Sequence, residues 1–315
     1  YRNSQAYSSN TLIRRPQLGN TLSLLKNHGL DYFYSGEVAK EISNSVNGFI
    51  TEEDLSNYRA TWREPLHLKI YGYDGWTSPP STQGYLTLST LKGFEMIDEK
   101  DDYLHALIEA YRIFASDRDN ITFDYLGNDQ NFFGSDEEYI KDKISLFDNN
   151  IAGKYDIPNP HGGGTAYMNA VDKNGLGISL IQSNFYGIGS RIGVGSFGFF
   201  LHNRGCGFNL IKKHPNSLGP NKKPLHTLSP TIWSRDGSLD FITGTRGGRY
   251  QPQLLAQNIL PYILGKSSFE EIIKKPRWVI EHFGSNTHSR IKFEFIEKSD
   301  MNSLENKGHK ISTEN

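Results

Sequence analysis

The sequence predicts an α+β protein, on three observations. Apolar residues recur every three or four positions through most of the first half, which is typical of amphipathic helices. From residue 165 onward, short strand-like runs alternate with turn sequences. The chain of 315 residues is 36% hydrophobic and 22% charged, a composition that supports a buried core and is not that of a disordered chain.

The helices are predicted from apolar stripes and from the residues that begin and end them. They are expected over residues 18–30, 36–46, 85–94 and 104–115, and in the second half over 251–264 and 268–274. Pro16 before the first of these and Gly29 near its end are typical boundary residues. The stretch from Thr51 to Asp54 predicts a further helix start, because acidic side chains stabilise the positive end of a helix.

The strands are predicted from alternation and from turn dipeptides. Residues 66–73 alternate apolar and polar side chains. Residues 165–171 and 176–183 flank Asp172-Lys173-Asn174-Gly175, and residues 231–235 and 238–243 flank Asp236-Gly237. Both arrangements predict hairpins, since Asn-Gly and Asp-Gly readily adopt the positive φ angles of tight turns.

Charge and cysteine content exclude several classes of protein. Lys and Arg number 34 against 35 Asp and Glu, for a net charge of -1, which gives no counterion-release drive towards nucleic acid. The apolar runs fall far short of the roughly 20 residues of a membrane span. The single cysteine, Cys206, excludes an internal disulfide or a multi-cysteine zinc site and is expected to be a buried thiol.

A glycine run followed by a threonine is the most informative local motif. Gly162, Gly163 and Gly164 precede Thr165, which opens a predicted strand. An N-terminal nucleophile hydrolase needs this arrangement: cleavage before the threonine frees an α-amine of pKa about 7.7 to 8.0, which can take the hydroxyl proton. Glycines allow the strained backbone that self-cleavage requires. The same residues are also typical of a plain loop that enters a strand.

Many short blocks match one known family in order along nearly the whole chain. They are residues 16–22, 33–36, 50–55, 62–66, 78–84, 109–111, 117–119, 165–172, 219–225, 228–231, 243–248 and 276–278. Together they resemble the γ-glutamyltransferase (glutathione hydrolase) family. The resemblance implies a self-processing enzyme that cleaves γ-glutamyl amide bonds and passes the acyl group to water or to an amine.

The resemblance also implies an architecture: the four-layer αββα sandwich of N-terminal nucleophile hydrolases. Residues 1–164 would be the C-terminal part of a large subunit, mostly helical, and residues 165–315 the small subunit, both from one precursor and together forming one domain. The chain is expected to be truncated at both ends. The family needs no metal or cofactor, its partners are small-molecule amides, and a periplasmic or secreted location is suggested.

Catalytic roles carry over residue by residue. The resemblance makes Thr165 the nucleophile, with cleavage between Gly164 and Thr165. Gly247 and Gly248 match the glycine pair whose backbone N–H groups form the oxyanion hole, although a plain glycine turn between a strand and a helix has the same pattern. Ser183 matches the hydroxyl that hydrogen-bonds the nucleophile.

The substrate-binding residues depart from the family pattern. Asn184 matches an asparagine that binds the amino-acid end of the substrate. Gly207 stands where an aspartate grips the α-amino group, and His226 and Thr227 replace the paired serines that bind the α-carboxylate. Arg204 adds a cation suited to a carboxylate, or is a solvated surface arginine. Two alternatives therefore stay open: an acylase of the same fold for glutaryl-type or other non-glutamyl amides, and a homologue that never matures.

Overall fold

The structure, a computed structural model, describes residues 7–155, 164–282 and 289–313. The helices are α1 (Pro16–His28), α2 (Tyr32–Ser35), α3 (Glu37–Ser45), α4 (Glu52–Asn57), α5 (Tyr85–Met96), α6 (Tyr103–Ser116), α7 (Arg118–Ile121), α8 (Glu137–Ile144), α9 (Gln251–Ile263), α10 (Phe269–Ile272) and α11 (Lys298–Asn306). The strands are β1 (Leu66–Ile70), β2 (Tyr73–Thr77), β3 (Gly164–Val171), β4 (Gly177–Phe185), β5 (Gly193–Val194), β6 (Phe199–Phe200), β7 (Thr231–Arg235), β8 (Ser238–Thr243), β9 (Trp278–His282), β10 (Ser289–Phe293) and β11 (Ile311–Thr313).

The chain divides into two compact units. One contains residues 1–62 with 188–202, and the other contains residues 63–187 with 203–315. The smaller unit comprises α1 to α4 and the short β5–β6 pair, and its core includes Val38, Ile42 and Val194. Its fourth helix begins with a capping box between Thr51 and Asp54, as the sequence predicts.

A four-stranded antiparallel sheet organises the larger unit. Its strand order is β1-β2-β7-β8. The tight turn between β7 and β8 places Asp236 at φ 51° and Gly237 at φ 76°, the backbone that a two-residue hairpin needs. This hairpin and the one between β3 and β4 are both confirmed.

The sheet carries helices on one face and the β3–β4 hairpin on the other. On the helical face, Trp233 is fully buried and lies with Leu88 of α5 in one core cluster. On the opposite face, a Cβ at Gly177 would meet Ile242 of β8 at 2.5 Å, so the hairpin packs closely there. Helix, sheet and sheet thus form three successive layers of this unit.

The α+β class is confirmed, whereas several elements were not predicted. β2 contains Asp74 and Gly75, residues that strands disfavour, yet it pairs with β1 on one side and β7 on the other. Position 75 is a glycine because a Cβ there would collide with the Trp233 ring. The sheet β11-β10-β9 and helix α11 were also missed. The predicted boundary between a large and a small subunit, at residues 164 and 165, is a cleavage site and not a boundary between compact units. It stays a prediction.

Within residues 7–155, 164–282 and 289–313, every helix is too short or too polar to cross a bilayer. The same residues bring together no group of three or more His, Cys, Asp and Glu side chains that could hold a metal ion.

A buried histidine pair joins α6 to the segment before β11 and predicts a pH effect on stability. His105 Nδ1 lies 2.8 Å from His309 Nε2. Burial, with Arg112 and His105 nearby, lowers the pKa of His309 from 6.5 to about 3. As the pH falls from about 6.5 towards 3, His309 takes up a proton in the unfolded chain but stays neutral in the folded chain. The free energy of unfolding therefore falls.

We expect His309→Gln to flatten that pH dependence. Urea unfolding of both proteins at pH 7 and pH 5 measures it, and the exposed His67 of β1 offers a control in His67→Gln. An equal loss of stability between these pH values in the wild type and in His309→Gln would contradict the assignment.

Candidate active site

Thr165 lies at the start of β3, where the backbone register sets its partner. It pairs with Ser183 of β4, and the register shifts between Gly164 and Thr165. Side chains alternate along a strand, so Thr165, Tyr167 and Ser183 share the half-buried face of the hairpin, while Met168 faces outward and is 46% exposed. The predicted nucleophile therefore faces the protein interior.

The Ser183 hydroxyl is the centre of a complete hydrogen-bond set. Thr165 Oγ1 donates to Ser183 Oγ at 3.2 Å, and the backbone N–H of Phe185 donates to the same oxygen at 3.0 Å. Ser183 Oγ in turn donates to the carbonyl oxygen of Gly164 at 2.9 Å. One donor and two acceptor positions are all used, so the hydroxyl is held between the Thr165 side chain and the Gly164–Thr165 peptide.

Position 164 has no room for a side chain larger than that of glycine. A Cβ there would lie 2.8 Å from the carbonyl oxygen of Gly187. The backbone thus approaches its neighbour as closely as only glycine allows. Gly162 and Gly163, which the sequence analysis places before the cleavage point, lie outside the described residues.

The Gly247–Gly248 turn follows β8 and approaches β3. Gly244 packs directly on the Tyr167 ring, leaving no room for a side chain. Since Tyr167 and Thr165 share one face of β3, this contact brings the segment after β8 to the threonine's side of the hairpin. Gly247 has φ 128° and Gly248 φ 56°, and both values favour glycine.

The segment at His226 and Thr227 is held by the loop that precedes α5. The N–H of His226 donates to the carbonyl oxygen of Ser81 at 2.8 Å. Gln83 is fully buried, and its Nε2 donates at 2.9 Å to the carbonyl oxygens of both Thr227 and Gly248. Sequence analysis assigned no role to Gln83, because only the fold brings these two carbonyls together.

Arg204 lies inside the protein, which overturns the surface alternative. It is 5% exposed, its Nη1 donates to Thr227 Oγ1 at 3.1 Å, and its guanidinium stands 4.7 Å from the centre of the Phe185 ring. Burial lowers the pKa of Arg204 to about 10, so it remains a cation at neutral pH. This cation is thus tied to Thr227 and packed on Phe185, two residues after Ser183.

Asn184 lies beside this group, between Ser183 and Phe185. Its carbonyl oxygen accepts a hydrogen bond from the N–H of Asn203 at 3.2 Å. Asn203 also accepts through Oδ1 from the N–H of Tyr186. The end of β4 and the Arg204 turn are therefore joined by backbone contacts, which bring two of the predicted substrate-binding residues together.

Gly207 is buried and has no space for a side chain. A Cβ there would stand 2.6 Å from the carbonyl oxygen of Leu225. A cavity of about 220 Å³ lies beside it, with Asp119 and Arg249 among its lining residues. Burial would raise the pKa of Asp119, but the Arg118 and Arg249 guanidiniums outweigh it and lower that pKa.

Cys206 is exposed, so the expectation of a buried thiol is wrong.

We expect Gly207→Asp to destabilise the protein by about 1–3 kcal/mol, the usual cost of forcing atoms into a packed site. Urea unfolding measures the loss. Gly205→Asp is the matched control, because a Cβ at Gly205 meets nothing within 4 Å. Equal stability of the two variants would contradict the close approach at position 207.

A strand-opening threonine, hydrogen-bonded to a hydroxyl on the neighbouring strand within stacked antiparallel sheets, is the arrangement of the N-terminal nucleophile hydrolases. The family profile for Gamma-glutamyltranspeptidase matches residues 1–315, and the chain belongs to that family.

Two curated proteins illustrate the range of its relatives. The chain is 30% identical over 312 residues to the Glutathione hydrolase-like YwrD proenzyme of Bacillus subtilis, covering 94% of this chain and 58% of the relative. It is 31% identical over 297 residues to the Oxamate amidohydrolase proenzyme of Klebsiella pneumoniae, covering 90% and 55%. The chain thus spans little more than half the length of these relatives.

A solved structure confirms the predicted fold, that of the N-terminal nucleophile hydrolases. The crystal structure of cephalosporin acylase from Bacillus halodurans matches with a TM-score of 0.82 at 27% identity, covering 96% of this chain and 56% of the acylase.

Proposed function

We propose that the protein is a self-processing N-terminal threonine hydrolase and transferase that cleaves γ-glutamyl amide bonds of the glutathione type and passes the acyl group to water or to an amine. The observation that carries the proposal is the hydrogen-bond set joining Thr165, Ser183 and the Gly164 carbonyl. Its similarity to two proteins named as hydrolase proenzymes supports it.

Self-cleavage begins at the Gly164–Thr165 peptide. Thr165 Oγ1 attacks the Gly164 carbonyl carbon, passing its proton to Ser183 as Ser183 gives its own proton to the Gly164 oxygen. The C–N bond then breaks as the proton on the former carbonyl oxygen of Gly164 passes to the released nitrogen, and an ester joins Gly164 to Thr165 Oγ1. Water hydrolyses that ester, which leaves the Gly164 carboxylate and a free Thr165 amine and hydroxyl.

Turnover uses the new N-terminus. The α-amine of Thr165 takes the hydroxyl proton as Oγ1 attacks the substrate amide, and the N–H groups of Gly247 and Gly248 stabilise the oxyanion. The leaving amine takes the proton as its C–N bond breaks. Water or an acceptor amine, deprotonated by the same α-amine, then attacks the acyl-enzyme and restores Thr165.

The proposed substrate class rests on the buried cation Arg204, which is hydrogen-bonded to Thr227 and packed on Phe185. Arg204 would bind the distal carboxylate of the acyl group. Because Arg204 is buried, a hydrogen-bonded ion pair between its guanidinium and that carboxylate would be strong. Asn184, His226 and Thr227 would line the same end. No metal or cofactor enters any of these steps.

A second candidate is an acylase for glutaryl-type or other non-glutamyl amides. Gly207 favours it, because the position that would carry an α-amino-binding aspartate has no room for one. The similarity to a cephalosporin acylase is consistent with this candidate.

Intact-mass analysis and a substrate pair test the proposal on the full-length protein. Two fragments that meet between Gly164 and Thr165 are expected. γ-Glutamyl and glutaryl anilides share the distal carboxylate and differ in the amino group, so turnover of γ-glutamyl anilide supports the proposal and turnover of glutaryl anilide alone supports the acylase. A wild-type chain that stays whole, or one that cleaves and hydrolyses neither anilide, would contradict the proposal.

A further inference from the structure

Gln83 connects two parts of the site that are far apart in the sequence. It precedes α5, and its Nε2 donates at 2.9 Å to the carbonyl oxygens of Thr227 and Gly248. We propose that Gln83 is a positioning residue that fixes the Gly247–Gly248 turn relative to the substrate-binding segment at Thr227. This inference rests on the proposed function of that turn.

The orientation of the Gln83 amide follows from its neighbours. Two carbonyl oxygens face one end of the side chain, so only the NH₂ group, with its two donors, can point there. Gln83 Oε1 is buried and has no hydrogen-bond partner among the described residues. A buried acceptor without a hydrogen bond is costly, so packing alone would favour an apolar side chain, and the amide is retained for its two donors.

The Gly247–Gly248 turn needs such a restraint. Both glycines have positive φ values, and glycine backbones rotate more freely than any others. The N–H of Tyr250 holds the carbonyl oxygen of Gly247 at 3.0 Å, and Gln83 holds that of Gly248. Because each peptide is planar, the Tyr250 contact fixes the direction of the Gly248 N–H, which shares a peptide with the Gly247 carbonyl. The Gln83 contact holds the next peptide, so the peptides on both sides of the Gly248 α-carbon are restrained.

The same side chain reaches the substrate end of the site. Thr227 offers its carbonyl oxygen to Gln83 and its Oγ1 to the Arg204 guanidinium. Arg204, Thr227, Gln83 and Gly248 are therefore linked by successive hydrogen bonds. These hydrogen bonds set the distance between the Arg204 cation and the oxyanion donors. A change in that distance should lower kcat more than it weakens substrate binding.

Kinetics of the processed full-length protein test the inference. We expect Gln83→Leu to lower kcat about 10- to 100-fold, with KM changed by less than about threefold. Gln253→Leu is the matched control, because Gln253 is equally buried but accepts from the N–H of Ile280. A kcat equal to that of the control, or a raised KM with unchanged kcat, would overturn the inference.

Gln83→Glu gives a second readout that folding alone would not produce. A carboxylate would repel both carbonyl oxygens, whereas the protonated acid can donate to one of them. The kcat of Gln83→Glu divided by that of the wild type should therefore rise as the pH falls from 8 to 5, and a flat ratio would overturn the inference even if Gln83→Leu does not fold. Failure of the wild type to cleave or turn over would instead reject the proposed function.

Discussion

Thr165→Ala is expected to remain a single chain and to show no amide hydrolysis above background. The substitution removes the Oγ1 oxygen that is proposed to attack the Gly164 carbonyl carbon, while β3 keeps its backbone pairing with β4. Alanine fits the half-buried position without a clash, so the fold should persist. Denaturing gels, intact mass and anilide hydrolysis measure the outcome after prolonged incubation.

Thr165→Ser separates loss of the hydroxyl from loss of the threonine methyl group. Serine keeps the oxygen and its hydrogen bond to Ser183, so it should cleave at the same peptide, at an altered rate because its side chain is less restricted in rotation. Cleavage of Thr165→Ala between residues 164 and 165 would show that another group cuts the chain and would contradict the proposed nucleophile.

The elements that sequence predicts best carry their own local signals. The β3–β4 and β7–β8 hairpins have Asn-Gly and Asp-Gly turns, and helix α6 has a complete apolar stripe. β2 has no such signal. It is a strand because it pairs with β1 on one side and β7 on the other. The β9–β11 sheet likewise forms through pairing with distant residues, as when Ile311 pairs with Ile291.

The candidate site divides in the same way. Thr165 and Ser183 are found from family blocks and are brought together by a hairpin that local sequence already predicts. The contacts of Gln83 depend on the packing of segments more than 100 residues apart. The burial of Arg204 depends on its contacts with Phe185 and Thr227. No local pattern encodes either feature. The crowding at Gly207 likewise depends on the Leu225 carbonyl, so the sequence shows the missing aspartate but not its cause.

Ser183→Ala is expected to slow self-cleavage about 100-fold, within the usual range for removing one donor to a developing oxyanion. The Ser183 hydroxyl donates to the Gly164 carbonyl oxygen and accepts from Thr165 Oγ1. Alanine removes both contacts and leaves the Phe185 N–H without this acceptor. The fraction of uncleaved chain against time, followed by mass analysis after rapid purification, gives the rate.

A neighbouring serine separates this chemical role from a general effect on the hairpin. Ser179 lies on the same strand and the same face, and its Oγ is 3.1 Å from the Tyr167 hydroxyl. Ser179→Ala should therefore cleave at nearly the wild-type rate, while Ser183→Thr, which keeps a hydroxyl, should recover part of the loss in Ser183→Ala. If Ser183→Ala and Ser179→Ala cleave equally fast, Ser183 neither polarises the Gly164 carbonyl nor receives the Thr165 proton.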